Sequence, residues 1–437
     1  MQHAARAHAW LIGIAMTGLV AFTGAVTAQN GRSAMPTCDP DNGGLKLQAG
    51  FCAFVVARDL GIARHIAVAR SGDLFVSIRN EDADTRGGVI ALRDTNGDGR
   101  ADVREKFGED GGTGIALRNG YLYLATETAV VRYPMKDGEL KPSGPAEVIV
   151  TLPDQTGHRA KGLAFDGKGG LLVNVGAPSN ACQEKDRVKG SPAQNPCAML
   201  EKHGGIWRFD ENTRGQTQEH GGRRYATGMR QPYALAWHQG ALFLVQHGRD
   251  QLDTLFPDYY TTEDNAELPS EEFQRVEEGA NFGWPYCYHD WRQGRRLQMP
   301  EYGGDGKKVG DCGKYPLPVA AYPGHWAPGD LMFYSGTQFP RKYQGGAFIA
   351  FQGSWNRAPL PAGGYKVVFQ SMNGAKAAGA YEVFADNFAG RSPLMAQRDA
   401  ERRPGGLAQA PDGSLYIADM VKGTIFRVLY PGGTSGN

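Results

Sequence analysis

The chain has 437 residues, and 47 lysines and arginines nearly balance 46 aspartates and glutamates, which leaves a formal charge of +1. This balance, without long runs of like charge, argues against a protein that binds nucleic acid or an anionic membrane surface. The 61 glycines, together with many prolines, tyrosines and tryptophans, favour short strands and tight turns over helical bundles. A chain of this length holds either two average domains or one large repeat domain.

The N-terminus has the pattern of a secretory signal peptide. Basic Arg6 precedes the apolar stretch Ala9–Val26, and small residues end it at Val26–Ala28. The alternative is an uncleaved membrane anchor. We expect a signal peptide over residues 1–28 and a mature, periplasmic or otherwise secreted protein over residues 29–437, with no membrane span after cleavage.

The six cysteines fall in pairs that are close in sequence. They permit several connectivities, but each neighbouring pair closes a short polar loop, which favours sequential pairing in an oxidising compartment. No Cys-x-x-Cys motif is present, so zinc and thiol-exchange chemistry have little support. The predicted disulfides are Cys38–Cys52, Cys182–Cys197 and Cys287–Cys312.

An apolar run, a glycine-bearing turn and a second β-type run recur along the chain. Six copies of such a unit predict an all-β, six-bladed β-propeller, because one blade cannot bury both of its faces alone. The extra length at Thr254–Gly345 is expected to form disulfide-stapled loops on one face. A β-sandwich suits the alternating strands too, but gives no reason for a repeat. The copies lie at His65–Val76, Gly114–Leu124, Leu163–Val173, Gly228–Asp250, Gly346–Phe351 and Gly406–Val428.

Cationic side chains and a histidine precede several of these apolar runs. Arg64, His158, Arg230, Arg402 and Arg403 all lie two to five residues before the first apolar residues of a run. If each run is an innermost strand, these side chains meet at one end of the central channel. Gathering them there is costly without an anion to neutralise them. The pattern therefore predicts a site for an anionic ligand.

Several motifs in order resemble the soluble quinoprotein sugar dehydrogenases, and the likeness covers about residues 45–430. It lies nearer to the pyranose and sorbosone dehydrogenase branches than to the glucose enzyme. The motifs are Gly157–His158, Gly228–Arg230, Gln246–Asp250, Gly279–Pro285 and Arg403 with Ala410–Gly413.

The resemblance implies a propeller that binds pyrroloquinoline quinone (PQQ) and Ca²⁺ at one end of its channel. Such an enzyme oxidises a hydroxyl of an aldose, pyranose or sorbosone-type sugar and passes the electrons to a separate acceptor, cytochrome c or a quinone. By position, His158 resembles the general base and Arg230 the cation beside the quinone oxygen. The other implied residues are Arg64, Gln231, Asn356, Arg357 and Arg403 for PQQ, and the carbonyls of Gly248 and Arg249 for Ca²⁺.

One position departs from the glucose-enzyme pattern. A carboxylate that orients the histidine is expected after the following strand, where this chain reads Asn174–Asn180. Either asparagine is a candidate substitute.

A second calcium motif lies at Asp94–Glu105, which has the spacing of an EF-hand loop, including glycine at position six. Its flanks look like strands, and acid-rich turns also occur in propeller hairpins without a metal. The possible structural Ca²⁺ ligands are Asp94, Asn96, Asp98, Arg100 and Glu105.

Two other functions stay open. One is a Ca²⁺-dependent propeller lactonase or hydrolase, which needs a carboxylate-rich metal floor. The other is a non-catalytic secreted propeller that binds glycans or proteins. Four aromatic residues are candidates for lining a sugar pocket, although packing is their commoner role in propellers: His325, Trp326, Tyr286 and Tyr288.

Overall fold

This computed structural model describes Met1 and residues 35–82 and 84–433. The chain divides into two compact units, Met1–Met35 and Pro36–Asn437. The predicted signal peptide lies outside the described residues apart from Met1, so its cleavage stays a prediction.

The second unit consists of six antiparallel sheets in chain order, each a blade of a propeller. The strands of blades 1 to 3, from the innermost outward, are as follows. Blade 1 has Ala63–Val68, Leu74–Ile78, Gly88–Arg93 and Val103–Phe107; blade 2 has Gly112–Arg118, Tyr121–Thr126, Ala129–Pro134 and Glu147–Thr151; blade 3 has Leu163–Phe165, Gly170–Val175, Gly205–Asp210 and Arg223–Thr227.

Blades 4 to 6 follow the same order of strands. Blade 4 has Gln231–His238, Ala241–His247, Glu271–Val276 and Ala320–Tyr322; blade 5 has Pro328–Phe333, Ala347–Phe351, Lys366–Gln370, Glu382–Asp386 and a fifth strand, Lys46–Leu47; blade 6 has Pro404–Gln409, Leu415–Asp419, Ile425–Leu429 and Cys52–Ala57.

The ring is closed by strands from the beginning of the unit. Cys52–Ala57 pairs antiparallel with Ile425–Leu429 and forms the outermost strand of blade 6. Each innermost strand contacts the innermost strands of the two neighbouring blades, and the last contacts the first. The six inner strands therefore surround one central channel.

Hydrophobic core lies between neighbouring blades because strand side chains alternate between the two faces. In Tyr121–Thr126 of blade 2, Leu122 and Leu124 pack against residues of blade 1, whereas Tyr123 and Ala125 pack against blade 3. All four are almost fully buried. One apolar run thus joins two cores, which is why both faces of a blade read as hydrophobic.

Irregular segments join the blades, with short helices at Leu252–Leu255 and Thr262–Glu267. A capping box between Thr261 and Asp264 begins the second helix. No helix among the described residues has the length and apolar character needed to cross a bilayer. Two small hairpins pair Cys287–Asp290 with Arg295–Gln298 and Met372–Asn373 with Lys376–Ala377. The 3₁₀ helices are Asn42–Gly44, Ala198–Glu201, Pro300–Tyr302, Gly310–Lys314, Arg341–Tyr343, Gln397–Asp399 and Pro431–Gly433.

The predicted six-bladed propeller is confirmed, and so are the three disulfides. The fifth sequence copy needs a correction, since Ala347–Phe351 is the second strand of blade 5 and its innermost strand is Pro328–Phe333. The predicted loop region Thr254–Gly345 also contributes Glu271–Val276 and Ala320–Tyr322 to blade 4. These strands were missed because turn-forming residues and charges interrupt their apolar character.

Candidate active site at the mouth of the channel

All six inner strands begin at the same end of the channel, and four of the five predicted side chains line cavities there. The prediction for Arg402 is wrong, because its guanidinium lies over the Phe426 ring, 5.4 Å from the ring centroid, and lines a different cavity. A cavity of about 500 Å³ at this end is lined by Arg64, His158, Gln231 and Arg403, among others. A second cavity of about 230 Å³ shares His158 and Gln231 and is also lined by Arg230. The fold therefore brings together five of the residues predicted from the sequence.

β-Bulges near the beginnings of the inner strands help to orient these side chains. The strand register shifts within the first few residues of five inner strands, those of blades 1, 2, 4, 5 and 6. Such bulges bend a strand and redirect a side chain, and they are common beside active sites. In blade 4 the shift falls between Pro232 and Ala234, directly after Arg230 and Gln231.

Two arginines in the larger cavity have no carboxylate within salt-bridge distance in the described part of the chain. Arg64 donates from Nη1 to the Tyr233 hydroxyl at 2.9 Å. Arg403 donates to the carbonyl oxygens of Gln352 and Gly353, both at 2.7 Å. Burial lowers the pKa of Arg403, and the positive charge of Arg64 lowers it further. Two like charges held together in partial burial favour an anion between them.

Arg230 is bound on both sides of its guanidinium. It donates from Nη1 to the Gly248 carbonyl at 2.6 Å and from Nη2 to Asp250 Oδ2 at 2.7 Å. Burial opposes ionisation of Asp250, but the positive charges of Arg230 and Arg187 hold its pKa well below the usual range. Arg230 is thereby fixed in orientation while its buried Nε has no protein partner among the described residues.

His158 lies in the loop before blade 3, with a backbone φ of 51°. Its Nδ1 is hydrogen-bonded to the Ala177 carbonyl, which can only accept, so Nδ1 carries the proton and Nε2 the lone pair. Gln155 Nε2 donates to the His158 carbonyl at 3.1 Å and braces the loop. Burial and the charge of Arg230 lower the pKa of His158 to about 3, so the ring is neutral at pH 7. A neutral, oriented imidazole is equipped to accept a proton at Nε2.

Neither asparagine proposed to orient His158 contacts its ring. Asn174 is fully buried and donates from Nδ2 to the carbonyls of Ala160 and Pro232, which ties the segment before the inner strand of blade 3 to the inner strand of blade 4. Asn180 exchanges two hydrogen bonds with the backbone of Asp250, both at 2.9 Å. The orienting group is instead a main-chain carbonyl, which no side-chain pattern reveals.

Tyr233 and His247 form a stacked pair between the two cavities, with ring centroids 5.1 Å apart and planes 6° from parallel. His247 Nε2 is hydrogen-bonded to the Pro328 carbonyl at 2.7 Å, and burial lowers the pKa of His247 to about 4. This second neutral histidine is thus held by a carbonyl, as His158 is.

The smaller cavity contains groups that the sequence did not single out. Glu271 accepts hydrogen bonds from the backbone N–H groups of Gly248 and Ala327, both at 3.2 Å. Burial raises its pKa to about 8 even though these two donors oppose the shift. The only signal in the sequence was the adjacent pair Glu271–Glu272, of which one residue faces each side of the sheet once the segment forms a strand.

Three residues assigned by resemblance lie behind the cavities, not in their walls. Asn356 Nδ2 contacts His325 Nε2 at 3.0 Å. Arg357 donates to Glu267 Oε1 at 2.6 Å. The Arg249 side chain is paired with Glu301 at 2.6 Å, and both side chains have no exposed surface. Neither cavity is lined by these three residues, whereas Gly248 lines the smaller one.

Of the four aromatic residues proposed for a sugar pocket, one lines a cavity at the mouth and three pack elsewhere. His325 lines the smaller cavity. Trp326 packs against Phe351 and Tyr381, and Tyr288 is hydrogen-bonded to Tyr260 at 3.0 Å in the interior. Tyr286 packs edge-on against Tyr302.

The Asp94–Glu105 loop lies away from the mouth and satisfies its own oxygens. Asp94 accepts from the N–H groups of Gly97 and Gly99, at 2.8 and 2.7 Å. Asp98 accepts from the Arg100 N–H, Asn96 from the Asp98 N–H, and Glu105 pairs with Lys141 at 2.7 Å. Within residues 35–82 and 84–433, no group of three or more histidine, cysteine or acidic side chains is arranged to hold a metal ion.

Comparison with known proteins gives one family and one fold. The TrAA12-like family model matches residues 45–430. A curated protein of Borreliella burgdorferi, described only as uncharacterized, is 29% identical over 166 residues; the match spans 37% of this chain and 40% of that protein.

Three solved structures are similar to the propeller, each at 18% identity. The calcium structure of the Trichoderma reesei carbohydrate-active enzyme of family AA12 has a TM-score of 0.71, and the holo pyranose dehydrogenase PQQ domain of Coprinopsis cinerea has 0.69; both cover 88% of this chain and 97% of the other. The PQQ-bound aldose sugar dehydrogenase of Streptomyces coelicolor has 0.53, with 88% and 99% covered. At this identity the likeness shows the fold alone.

Proposed function

The chain belongs to the TrAA12-like family, as its resemblance to the quinoprotein sugar dehydrogenases predicted, and from this premise we propose that it is a PQQ-dependent sugar dehydrogenase. The observation that carries the proposal is a neutral, oriented His158 beside two arginines, Arg64 and Arg403, that have no carboxylate partner among the described residues. An anionic redox cofactor and a proton acceptor are the two requirements of such an enzyme.

The residues at the mouth fit the cofactor chemically. PQQ is a tricarboxylate, and arginine donates to carboxylates in parallel pairs. Arg64 and Arg403 would hold carboxylates, with Gln231 beside them as an amide donor. The buried Nε atoms of Arg64 and Arg230 have no partner among the described residues, which leaves donors for a ligand.

Ca²⁺ takes oxygen ligands, backbone carbonyls included. We assign it to the carbonyls of Gly248 and Arg249, with the carboxylates of Asp250 and Glu271 close to Gly248. A cation there would also favour the ionised form of Glu271, which burial alone opposes.

The chemistry at this chain's residues begins with proton transfer from the sugar hydroxyl to His158 Nε2. When bound, PQQ with its Ca²⁺ would supply the two-electron acceptor for the hydride, which leaves the sugar carbon that carries this hydroxyl. Arg230, fixed by Gly248 and Asp250, supplies a positive charge that requires little reorganisation. The Ala177 carbonyl stabilises the imidazolium formed at His158, because its bond to Nδ1 strengthens when the ring is charged.

The proposal extends to the setting of the reaction. The substrate is an aldose, a pyranose or a sorbosone-type sugar, and the electrons pass to a separate acceptor, a cytochrome c or a quinone. The N-terminal pattern and three disulfides support export to the periplasm. A lactonase remains the competing enzyme class, but an arginine-lined cavity suits an anionic cofactor better than a carboxylate-held metal.

Reconstitution tests the function. Purified protein is loaded with PQQ and Ca²⁺ and supplied with a panel of aldoses and an artificial electron acceptor. We expect acceptor reduction that needs both PQQ and sugar. Lactone hydrolysis without PQQ, or the absence of PQQ binding, would contradict the proposal.

A further inference from the structure

Trp355 is an exposed aromatic ring on a segment that is otherwise firmly held. Its neighbour Asn356 is 3% exposed and accepts at its carbonyl from Asn265 Nδ2 at 2.9 Å. On the next position, Arg357 is fixed by Glu267 and by the Ala266 carbonyl. The two residues anchor the backbone, so the position of Trp355 depends little on its own contacts.

The Trp355 ring itself is 51% exposed. Within the described residues, it makes no aromatic contact and its indole N–H donates to no protein atom. Trp291 provides the contrast, because it is 38% exposed but donates from its indole nitrogen to the Glu267 carbonyl at 3.0 Å. Trp291 lines neither cavity at the mouth, whereas Trp355 lines the smaller one.

Apart from Gly248 and Ala327, the remaining side chains that line this cavity are polar or charged. Trp355 shares it with His158, Arg230 and Arg187. Arg187 is already hydrogen-bonded to Asp250 and Gln251, each at 2.8 Å. The cavity therefore offers one apolar face, with a free N–H donor, next to the residue that accepts the proton.

The ligand that matches such a surface has an apolar face and polar edges. A pyranose ring has this character, since axial C–H bonds cover one face and hydroxyl groups surround its edge. An aromatic ring binds a C–H face by dispersion and by removal of apolar area from water.

We propose that Trp355 is the stacking platform for the sugar ring and selects cyclic sugars as substrates. This inference rests on the proposed function for the chemistry at the bound sugar, and it assigns Arg357 the task of positioning the platform. Stacking on this ring brings the sugar to the cavity that His158 also lines.

The test compares Trp355→Ala, Trp355→Phe and the control Trp291→Ala in the full chain loaded with PQQ and Ca²⁺. Calorimetric titration with a methyl pyranoside measures sugar affinity without turnover. We expect about tenfold weaker binding for Trp355→Ala, consistent with the loss of one aromatic contact and its buried area. Trp355→Phe should recover most of the affinity, and Trp291→Ala should equal the wild type.

Kinetics and cofactor titration separate this role from others. For an oxidised pyranose, KM should rise about tenfold in Trp355→Ala with kcat within about twofold, and the affinity for PQQ should not change. Equal pyranoside affinity in the wild type and Trp355→Ala, or weakened PQQ binding in that variant, overturns the inference. If the wild type oxidises no sugar, the proposed function fails, whereas pyranoside binding that depends on Trp355 still supports the platform.

Discussion

The channel mouth and the Asp94–Glu105 loop both look like ligand sites in the sequence, yet they differ in how their charges are satisfied. At the mouth, Arg64 and Arg403 are partly or largely buried and have no carboxylate partner in the described part of the chain. In the loop, Asp94 and Asp98 are hydrogen-bonded to N–H groups of the same loop. The number of charges is thus a weaker indication of a site than the number of buried charges left without a partner.

The first prediction, with the largest effect, removes the proton acceptor at the mouth. His158→Ala should reduce kcat of the reconstituted protein about 10²–10⁴-fold, because general-base catalysis contributes factors of this size. PQQ binding should persist, since the arginines remain. Steady-state kinetics and cofactor titration measure the two effects, and a variant that turns over at nearly the wild-type rate would exclude His158 as the base.

The second prediction removes an arginine that has no carboxylate partner. Arg403→Ala should weaken PQQ binding about 10–100-fold, because a hydrogen bond to a charged group is worth about 1.5–3 kcal/mol. Arg427→Ala is the matched control, since Arg427 is already paired with Asp412 at 2.8 Å. Titration of the cofactor-free variants with PQQ measures both affinities. An equal loss of PQQ affinity in the two variants would show that an arginine without a carboxylate partner is no better a cofactor contact than a paired one.

The third prediction concerns Glu271 in the cofactor-free protein. Because burial raises its pKa to about 8, the folded state retains a proton that the unfolded state loses near the usual value of 4.5. The free energy of unfolding should therefore fall as the pH rises from about 4.5 to about 8. Glu271→Gln should lack this component, and denaturant unfolding of both proteins across that range measures the difference. If the free energy of unfolding depends on pH in the same way in both proteins, the pKa of Glu271 is not raised by folding.

The smallest effect is expected in the acidic loop. Asp98→Ala should change the free energy of unfolding by about 0.5 kcal/mol or less, because the side chain is exposed and bonded only within its own turn. It should leave PQQ affinity and kcat unchanged. Calcium titration of the wild type and the variant also tests the EF-hand prediction, because loss of one bound equivalent would place a structural Ca²⁺ in this loop.

The sequence predicted most of the blades because their inner strands combine apolar runs with glycine turns. It did not predict Pro328–Phe333, which begins with Pro-Gly-Asp and reads as a turn, although proline is compatible with the first position of a strand. At the site, the positions of His158, Arg230 and Arg403 just before apolar runs predicted correctly that they lie at one end of the channel. Residues such as Glu271 and Trp355 depend on packing between distant segments, and the sequence alone did not place them there.

Arg357 illustrates the limit of assignment by resemblance. Its position in the chain matches a cofactor-binding cation, but Glu267 on a neighbouring helix captures its guanidinium at 2.6 Å. An adjacent side chain, Trp355, reaches the cavity instead. A difference of two positions along an irregular segment is enough to exchange a supporting residue for a contact residue.

The pairing of Cys52–Ala57 with Ile425–Leu429 has a consequence for biosynthesis. Because the ring is completed by two segments separated by almost the whole sequence, blade 6 cannot assemble until the ribosome has made its final strand. In a nascent or C-terminally truncated chain that lacks Ile425–Leu429, the strands that pair with it, Cys52–Ala57 and Leu415–Asp419, would each have an unpaired edge. Such unpaired strand edges can pair with other chains, so an incomplete propeller should be prone to aggregation.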